Sequence, residues 1–202
     1  MKLGNSKRTV INMCAKIEEL NGLSAEDILG KYWKRNILPI DISKILFNLK
    51  VRFVPFNFSQ LEKSNNIDSG DILGVVLANN NDLAILYKEA ETLNRTRFTL
   101  AHELAHCCLK HILPNDKQHI EFRSKSAVQD KKEIDANIFA GELLIPEKEL
   151  RLSLVKFFEN TFPSSVLLAQ IFSVSINVME ERLRYLKIPF IDSNKIKTLY
   201  IE

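Results

Sequence analysis

The sequence contains little cysteine, glycine or proline, and neither sign of charge predominates. Its three cysteines, two of them adjacent, cannot form a fully paired disulfide framework, and they predict reduced thiols in a cytoplasmic protein. Six glycines and six prolines among 202 residues exclude a collagen-like chain. The 28 Lys and Arg against 25 Asp and Glu give a net charge of only +3, which is too mild to indicate a nucleic-acid-binding protein.

The sequence also lacks a long apolar run. A membrane-spanning helix needs about 20 mostly apolar residues, and no segment approaches that length. The basic segment at the start of the chain is followed by an apolar run of only Val10 and Ile11, which is much shorter than the core of a signal peptide. These absences predict a cytoplasmic protein without a membrane segment.

The composition is typical of a globular protein, with 46% hydrophobic and 26% charged residues. Apolar residues recur at helical spacing in the first and last parts of the chain, whereas the middle has short apolar runs bounded by turn residues. The predicted helices cover 10–20, 25–33, 42–49, 95–110, 131–144, 150–158, 164–172 and 175–186, and the predicted strands cover 51–54, 73–78 and 83–87. This order predicts a helix-rich α+β fold with an antiparallel or mixed sheet of about three strands.

The most informative segment is a His-Glu-x-x-His motif on a predicted helix. His102 and His106 are four residues apart, so both imidazoles lie on one helix face and can bind one metal ion. Glu103 lies about 100° around the helix, where it can reach a water on the metal without binding the metal itself. Two imidazoles suit zinc, which lowers the pKa of its bound water to about 7. The motif predicts one Zn²⁺ per chain, with Glu103 within reach of its bound water.

Zinc in such a site needs a third protein ligand. The arrangement in which a third histidine follows on the same segment is excluded because Ile112 occupies that position, and His111 is one residue out of place. Glu133, at the start of a later predicted helix, is the better candidate, and Asp135 is its main rival. Asn137 lies one turn after Glu133, where its amide oxygen can accept the other ring N–H of a ligand histidine.

These motifs resemble the ImmA/IrrE family of zinc metallopeptidases. The two specific matches are Arg-Phe-Thr-Leu-Ala-His-Glu-Leu-Ala-His at 97–106 and Glu-x-x-Ala-Asn-x-Phe-Ala-x-x-Leu-Leu-Ile-Pro at 133–146. Weaker matches lie at 38–41 and 168–175, and the resemblance runs from about residue 36 to residue 187. The chain departs from the common family pattern at Ala105 and at the adjacent cysteines, but no required group is missing.

The resemblance implies a zincin-like fold and an endopeptidase that cleaves a helix-turn-helix transcriptional repressor, which would serve transcription regulation or a mobile element. The resemblance also implies that His102, His106 and Glu133 bind zinc. It further implies that Glu103 is the catalytic acid and base. We divide the chain accordingly into an N-terminal helical extension (1–35), a metallopeptidase core (36–146) and a C-terminal helix-turn-helix-like region (147–202) packed on the core.

The sequence does not select the group that would stabilise the oxyanion of the reaction. A hydrogen-bond donor near the metal is required. The candidates are Tyr87, Arg97, His111 and His119. Either strand of the predicted hairpin at 73–87 could bind an extended substrate by pairing with its backbone.

The alternative hypothesis is a DNA-binding or repressor-binding regulatory module that has a metal site but no proteolytic activity. It rests on residues 164–186, which resemble a helix-turn-helix. The basic residues Arg182, Arg184 and Lys187 are offset there by Glu180 and Glu181, which favours a packing or repressor-docking role over direct contact with nucleic acid. A degenerate scaffold, such as a toxin–antitoxin component, is disfavoured because all catalytic groups are present.

Cys107 and Cys108 directly follow the motif and raise the question of a metal–thiolate site. Adjacent cysteines do not have the C-x-x-C spacing of structural zinc sites. They are also rotated away from the helix face that carries the histidines. We therefore expect core thiols.

Overall fold

The computed structural model describes residues 15–34, 37–64, 72–79, 82–112, 130–159 and 161–192. Within these ranges the elements are α1 (Ile17–Leu20), α2 (Ala25–Tyr32), α3 (Ile42–Asn48), β1 (Arg52–Phe56), α4 (Ser59–Ser64), β2 (Gly74–Asn79), β3 (Asp82–Lys88), α5 (Leu93–Cys108), α6 (Lys131–Leu144), α7 (Glu147–Phe157), α8 (Ser165–Phe172) and α9 (Ile176–Tyr185). The fold is a helix-rich α+β fold with a small mixed sheet, which confirms the predicted class. None of the helices in these ranges has both the length and the apolar character that crossing a membrane requires.

Side-chain caps determine where the early helices begin. At α2, Ser24 Oγ accepts a hydrogen bond from the Asp27 N–H at 3.1 Å, and the Asp27 carboxylate accepts one from the Ser24 N–H at 2.9 Å. At α3, Asp41 Oδ1 accepts a hydrogen bond from the Lys44 N–H at 3.0 Å. Such caps satisfy N–H groups that the first turn leaves without a helical partner, and each contributes about 1 kcal/mol. Ser24 and Asp41 directly precede segments with apolar residues at helical spacing, so the sequence predicts both as N-caps, and the structure confirms them.

The sheet has the strand order β1-β3-β2, with β1 parallel and β2 antiparallel to β3. The predicted hairpin is therefore confirmed as β2 and β3. Pro55 lies in the edge strand β1, opposite Tyr87, and an edge strand tolerates a residue that cannot donate to the ladder. The opposite edge is β2, and α5 packs against both β2 and β3.

The central helix α5 is buried along most of its length between the sheet and α6. One cluster of buried apolar side chains extends from Ala15 through α5 and α6 to Leu183 in α9. Burial of this apolar surface stabilises the position of α5, because each square ångström removed from water contributes roughly 25 cal/mol. The cluster includes residues from all three predicted parts of the chain, and the boundaries between those parts stay a prediction.

Several helix boundaries differ from the predicted ones. Residues 15 and 16 of the predicted helix 10–20 are not helical, and α1 begins at Ile17 because Lys16 has an extended backbone. Helix α5 ends before Lys110, because that residue adopts a left-handed φ of 60°, which a continuing helix does not allow. Helix α7 begins at Glu147, directly after Pro146, rather than at Leu150. A proline is accommodated ahead of the first turn, and the acidic residues at 147 and 149 favour a helix N-terminus there.

Helix α4 was not predicted. The polar composition of residues 63–71 predicts a loop there, but Lys63 and Ser64 are the last two residues of α4. The side chain of Asn57 explains the start of α4, since its Oδ1 accepts a hydrogen bond from the Ser59 N–H at 3.0 Å. Parts of three predicted segments lie outside the described residues. They are the rest of the loop 63–71, the first residues of the helix 10–20, and nearly all of the polar segment 115–130, which the sequence also predicts as a loop.

Candidate metal centre

Helix α5 presents two buried histidines on one face. His102 and His106 are one turn apart, and as whole residues they are only 2% and 1% exposed. Their Nε2 atoms lie 2.9 Å from each other, so both rings direct the same nitrogen to one point. The ring centroids are 4.6 Å apart at an interplanar angle of 65°. The helical period therefore brings the two predicted ligand residues together.

Helix α6 supplies a carboxylate to the same point. Asp130 caps the start of α6 through the Lys132 N–H, and Glu133 follows in the first turn. Glu133 Oε2 lies 3.3 Å from His102 Nε2, and Glu133 Oε1 lies 3.3 Å from His106 Nε2. When the two imidazoles are protonated, their hydrogen bonds to Glu133 hold the pKa of its carboxyl well below its usual range.

These three side chains form a donor set that fits a divalent metal ion. One potential ligand atom from each of His102, His106 and Glu133 lies within 4.8 Å of the other two. In the described part of the chain this is the one such group of histidine, cysteine and acidic side chains. Two imidazoles and one carboxylate are the ligands of many catalytic zinc sites, in which a fourth position stays open. The rival residue Asp135 is not part of the group.

The outer nitrogens of both histidines have polar partners. His102 Nδ1 lies 3.1 Å from Asn137 Oδ1, which is the contact that the sequence predicts for Asn137. Since a carbonyl oxygen only accepts, this contact favours a proton on Nδ1 and leaves the lone pair of His102 Nε2 directed at the centre. His106 Nδ1 lies 3.0 Å from His111 Nδ1. The role of Asn137 in metal binding stays a prediction, and the contact of His111 with His106 was not predicted.

Glu103, the predicted acid and base, lies on α5 beside strand β2. Its side chain is buried, and the whole residue is only 5% exposed. The backbone of Gly74 lies against it so closely that a Cβ built on Gly74 would be 2.5 Å from Glu103 Oε1. Gly74 was missed by the sequence analysis, although a glycine at the start of an apolar strand is a signal for close backbone approach.

The four candidate oxyanion donors have different surroundings in the structure. Tyr87 is half-buried on β3, directly opposite Gly74 in the ladder. His111 contacts His106, as described above, and His119 lies outside the described residues. The guanidinium of Arg97 donates to the carbonyls of Ser173 at 3.0 Å and Phe172 at 3.4 Å, at the end of α8, and its role as an oxyanion donor stays a prediction.

The two cysteines after the motif are core residues. Cys107 and Cys108 are buried free thiols, and neither belongs to the group of possible metal ligands in the described residues. Cys107 Sγ donates to the Glu103 carbonyl at 3.4 Å. Burial raises the pKa of the Cys107 thiol well above its usual value and raises the pKa of Cys108 to about 12. The expectation of core thiols is confirmed.

The C-terminal helices α8 and α9 pack on each other and are joined by a tight turn, in which Ser173 has a φ of 49°. The arginines of α9 form hydrogen bonds and ion pairs with other groups of the same chain. Arg182 is buried, donates to the Ile145 carbonyl at 3.2 Å and lies 3.6 Å from Glu142. Arg184 forms ion pairs with Glu180 and Glu181 at 3.1 and 2.7 Å.

A groove separates α9 from α5 and α6 next to the metal centre. Its volume is ≈ 520 Å³, enough for several side chains. Apolar side chains such as Phe98, Ile138 and Val178 line much of it. Asn137 lines the groove, and its amide contacts His102. The groove therefore reaches a residue that contacts the metal centre.

Comparison with known proteins agrees with these motifs. Residues 64–184, more than half of the chain, match the model of the Peptidase_M78 family, described as the IrrE N-terminal-like domain. The match covers β2 and β3, both motif helices and nearly all of α9. A search of curated proteins finds no match. The chain belongs to this family of ImmA/IrrE-type peptidases, and the membership supports a metallopeptidase-type function on an α+β, zincin-like fold.

Proposed function

We propose that the protein is a zinc-dependent endopeptidase and that its substrate is a helix-turn-helix transcriptional repressor. The observation that carries this proposal is the meeting of His102, His106 and Glu133 at one point, with Glu103 next to His102 on the same helix. The family membership supports peptide-bond hydrolysis, and the donor set supports zinc. The identity of the substrate is supported by the motif resemblance alone.

The three ligand side chains would hold the zinc, and Asn137 and His111 would fix the orientation of the two rings. When bound, zinc supplies Lewis acidity and a water that ionises near neutral pH. The burial of both imidazoles excludes bulk water from the ligand side of the site and keeps the ring orientations fixed.

Glu103 is the residue that would move the proton. As general base it takes a proton from the attacking water, and as general acid it gives that proton to the leaving amide nitrogen. Its position on α5 next to His102, and its absence from the group of three possible ligands, support this role. The C–N bond breaks, and the products are a new carboxylate and a new amine.

The edge strand β2 offers a way to bind the substrate backbone. It pairs with β3 on one side only, among the described strands, and its start lies against Glu103. An extended peptide that pairs with the open side of β2 would therefore pass close to the catalytic carboxylate. This geometry favours a substrate segment that is extended or can unfold locally.

The C-terminal pair α8 and α9 would contribute to recognition of the repressor. Because Arg182 and Arg184 are already bonded within the chain, α9 has little free positive charge to offer a phosphate backbone. Docking of a protein is therefore the better use of this pair. The alternative, a repressor-binding module without proteolysis, has the same docking surface and differs only in the fate of the bound repressor.

The experiment that tests the proposal uses Glu103→Gln as the decisive variant. Purified zinc-loaded protein is incubated with helix-turn-helix repressors from its own source, and cleavage is followed by mass spectrometry. We expect wild type to cut one repressor and Glu103→Gln to lose about 10²- to 10⁴-fold in rate, the usual contribution of general acid–base catalysis. Zinc content should stay unchanged.

Two results would contradict the proposal. Full activity of Glu103→Gln would exclude the mechanism, since amide and carboxylate differ in their ability to accept a proton. Binding of a repressor without cleavage by the zinc-loaded wild type would favour the regulatory module instead.

A further inference from the structure

We propose that Gly74 is a positioning residue for Glu103. Strand β2 lies so close to helix α5 that only a glycine at position 74 leaves room for the carboxylate of Glu103. The inference rests on the proposed role of Glu103 as acid and base. It states that position 74, which lies outside the His-Glu-x-x-His motif and 29 positions before Glu103 in the sequence, must be a glycine.

The contact between β2 and α5 is closer than a side chain on Gly74 would permit. A Cβ on Gly74 would lie 2.5 Å from Glu103 Oε1, 2.9 Å from Glu103 Cδ and 2.6 Å from Thr99 Cγ2. Thr99 and Glu103 are one turn apart on α5, so they form a single ridge that faces the strand. Both residues are buried, at 4% and 5% exposure, so there is little space into which the ridge could move.

Backbone conformation does not explain the glycine. Gly22 has a φ of 86°, which favours glycine for its own reason, whereas Gly74 lies in a regular strand outside the left-handed region. Its place is fixed by the ladder, in which it is opposite Tyr87, and by the hydrogen bond from the Lys88 N–H to the neighbouring Leu73 carbonyl at 2.8 Å. The missing Cβ, and not the freedom of the backbone, is what this position requires.

The two partners of the added Cβ would respond differently. Glu103 is flexible, so its carboxylate can turn away and let the protein fold. Thr99 is β-branched and its χ1 angle is restricted within a helix, so its side chain can move less than that of Glu103. The expected outcome of Gly74→Ala is a folded protein whose Glu103 carboxylate is displaced. The ligands His102, His106 and Glu133 are not among the nearest atoms to the added Cβ.

A second glycine provides a matched control. At Gly30, in the exposed face of α2, an added Cβ would meet nothing within 4 Å. Gly30→Ala therefore makes the same chemical change at a site with free space. A helical glycine replaced by alanine should leave the protein at least as stable as wild type.

The first test is a double-mutant cycle in urea unfolding of the zinc-loaded full chain. Gly74→Ala is introduced into wild type and into a Thr99→Ser, Glu103→Ala background, which lacks all three atoms that the Cβ would meet. We expect the unfolding midpoint to fall in the wild-type background, or the variant to fail to fold, and most of this loss to disappear in the second background. Equal losses in the two backgrounds would overturn the proposal.

The second test locates the carboxylate directly. Crystal structures of zinc-loaded Gly74→Ala, or of Gly74→Ala with Thr99→Ser if the single variant does not fold, are compared with Gly30→Ala. We expect a displaced Glu103 carboxylate, unmoved zinc ligands and a zinc affinity within about twofold of wild type, since the ligand set is intact. A Glu103 side chain in its wild-type position would overturn the proposal. Failure of wild type to bind zinc would instead contradict the proposed function, and the unfolding cycle would still test the packing.

Discussion

The helix pairs α5–α6 and α8–α9 both bury polar groups, and they use them in opposite ways. In α5–α6, groups with lone pairs converge from two helices on one point, namely the Nε2 atoms of His102 and His106 and the carboxylate of Glu133. In α9, each guanidinium meets a group of opposite polarity: Arg182 meets a carbonyl and a carboxylate, and Arg184 meets two carboxylates.

The comparison shows how a metal site differs from an ion pair that only contributes to packing. Converging acceptors repel one another and cost desolvation, so they are stable chiefly when a cation joins them. Matched opposite charges need no further ligand, and they contribute little at the surface. The pair α5–α6 is therefore expected to respond to metal, and the pair α8–α9 is expected to affect only stability and docking.

The largest effect among the substitutions that sharpen this contrast is expected at the outer contact of His102. Asn137→Ala removes the oxygen that lies 3.1 Å from His102 Nδ1. We expect zinc affinity to fall by about 10- to 100-fold, because the ring loses the partner that fixes its tautomer and orientation. Competition with a chromophoric chelator measures the affinity.

Asp135→Ala is the matched control for this substitution. It changes a polar residue of α6 that is not in the ligand group, and zinc affinity should stay within about twofold of wild type. An Asn137→Ala variant with wild-type affinity would show that the amide plays no part in holding the metal site. Both proteins should show the same helix content by circular dichroism.

A smaller effect is expected in α9, and it should leave the metal untouched. Arg182→Met removes a buried donor to the Ile145 carbonyl and should lower the free energy of unfolding by about 1–2 kcal/mol. Arg184→Ala removes half-exposed ion pairs and should change it by less than about 0.5 kcal/mol. Urea unfolding measures both, with zinc content determined in parallel. Loss of zinc in either variant would break the contrast between the two helix pairs.

The parts of the site that were predicted from the sequence are those that a single helix dictates. The period of α5 aligns His102 with His106, and the period of α6 aligns Glu133 with Asn137. Their convergence required only that the two helices pack together, which the apolar faces of both helices favour. The same holds for the α+β class, since caps, prolines and apolar periods are local signals.

The parts that were missed depend on distances between elements remote in sequence. Gly74 matters because of how closely β2 approaches α5, and spacing along the chain does not encode that distance. Arg97 belongs to the motif segment, yet its donors are used by carbonyls of α8 about 75 residues later. Likewise, the last residues of α4 belong to a polar segment whose composition is typical of a loop, and the contact of Asn57 that starts the helix lies before that segment.

The most direct test of the account is the zinc content of purified wild type beside Glu133→Ala and Asp135→Ala, measured by elemental analysis after gentle purification. The account predicts about one zinc per chain in wild type and in Asp135→Ala, and little or none in Glu133→Ala, because only Glu133 joins the two histidines. Absence of zinc from wild type, with no uptake on titration, would contradict it. Equal zinc content in all three proteins would also contradict it, since Glu133 would then not be a ligand.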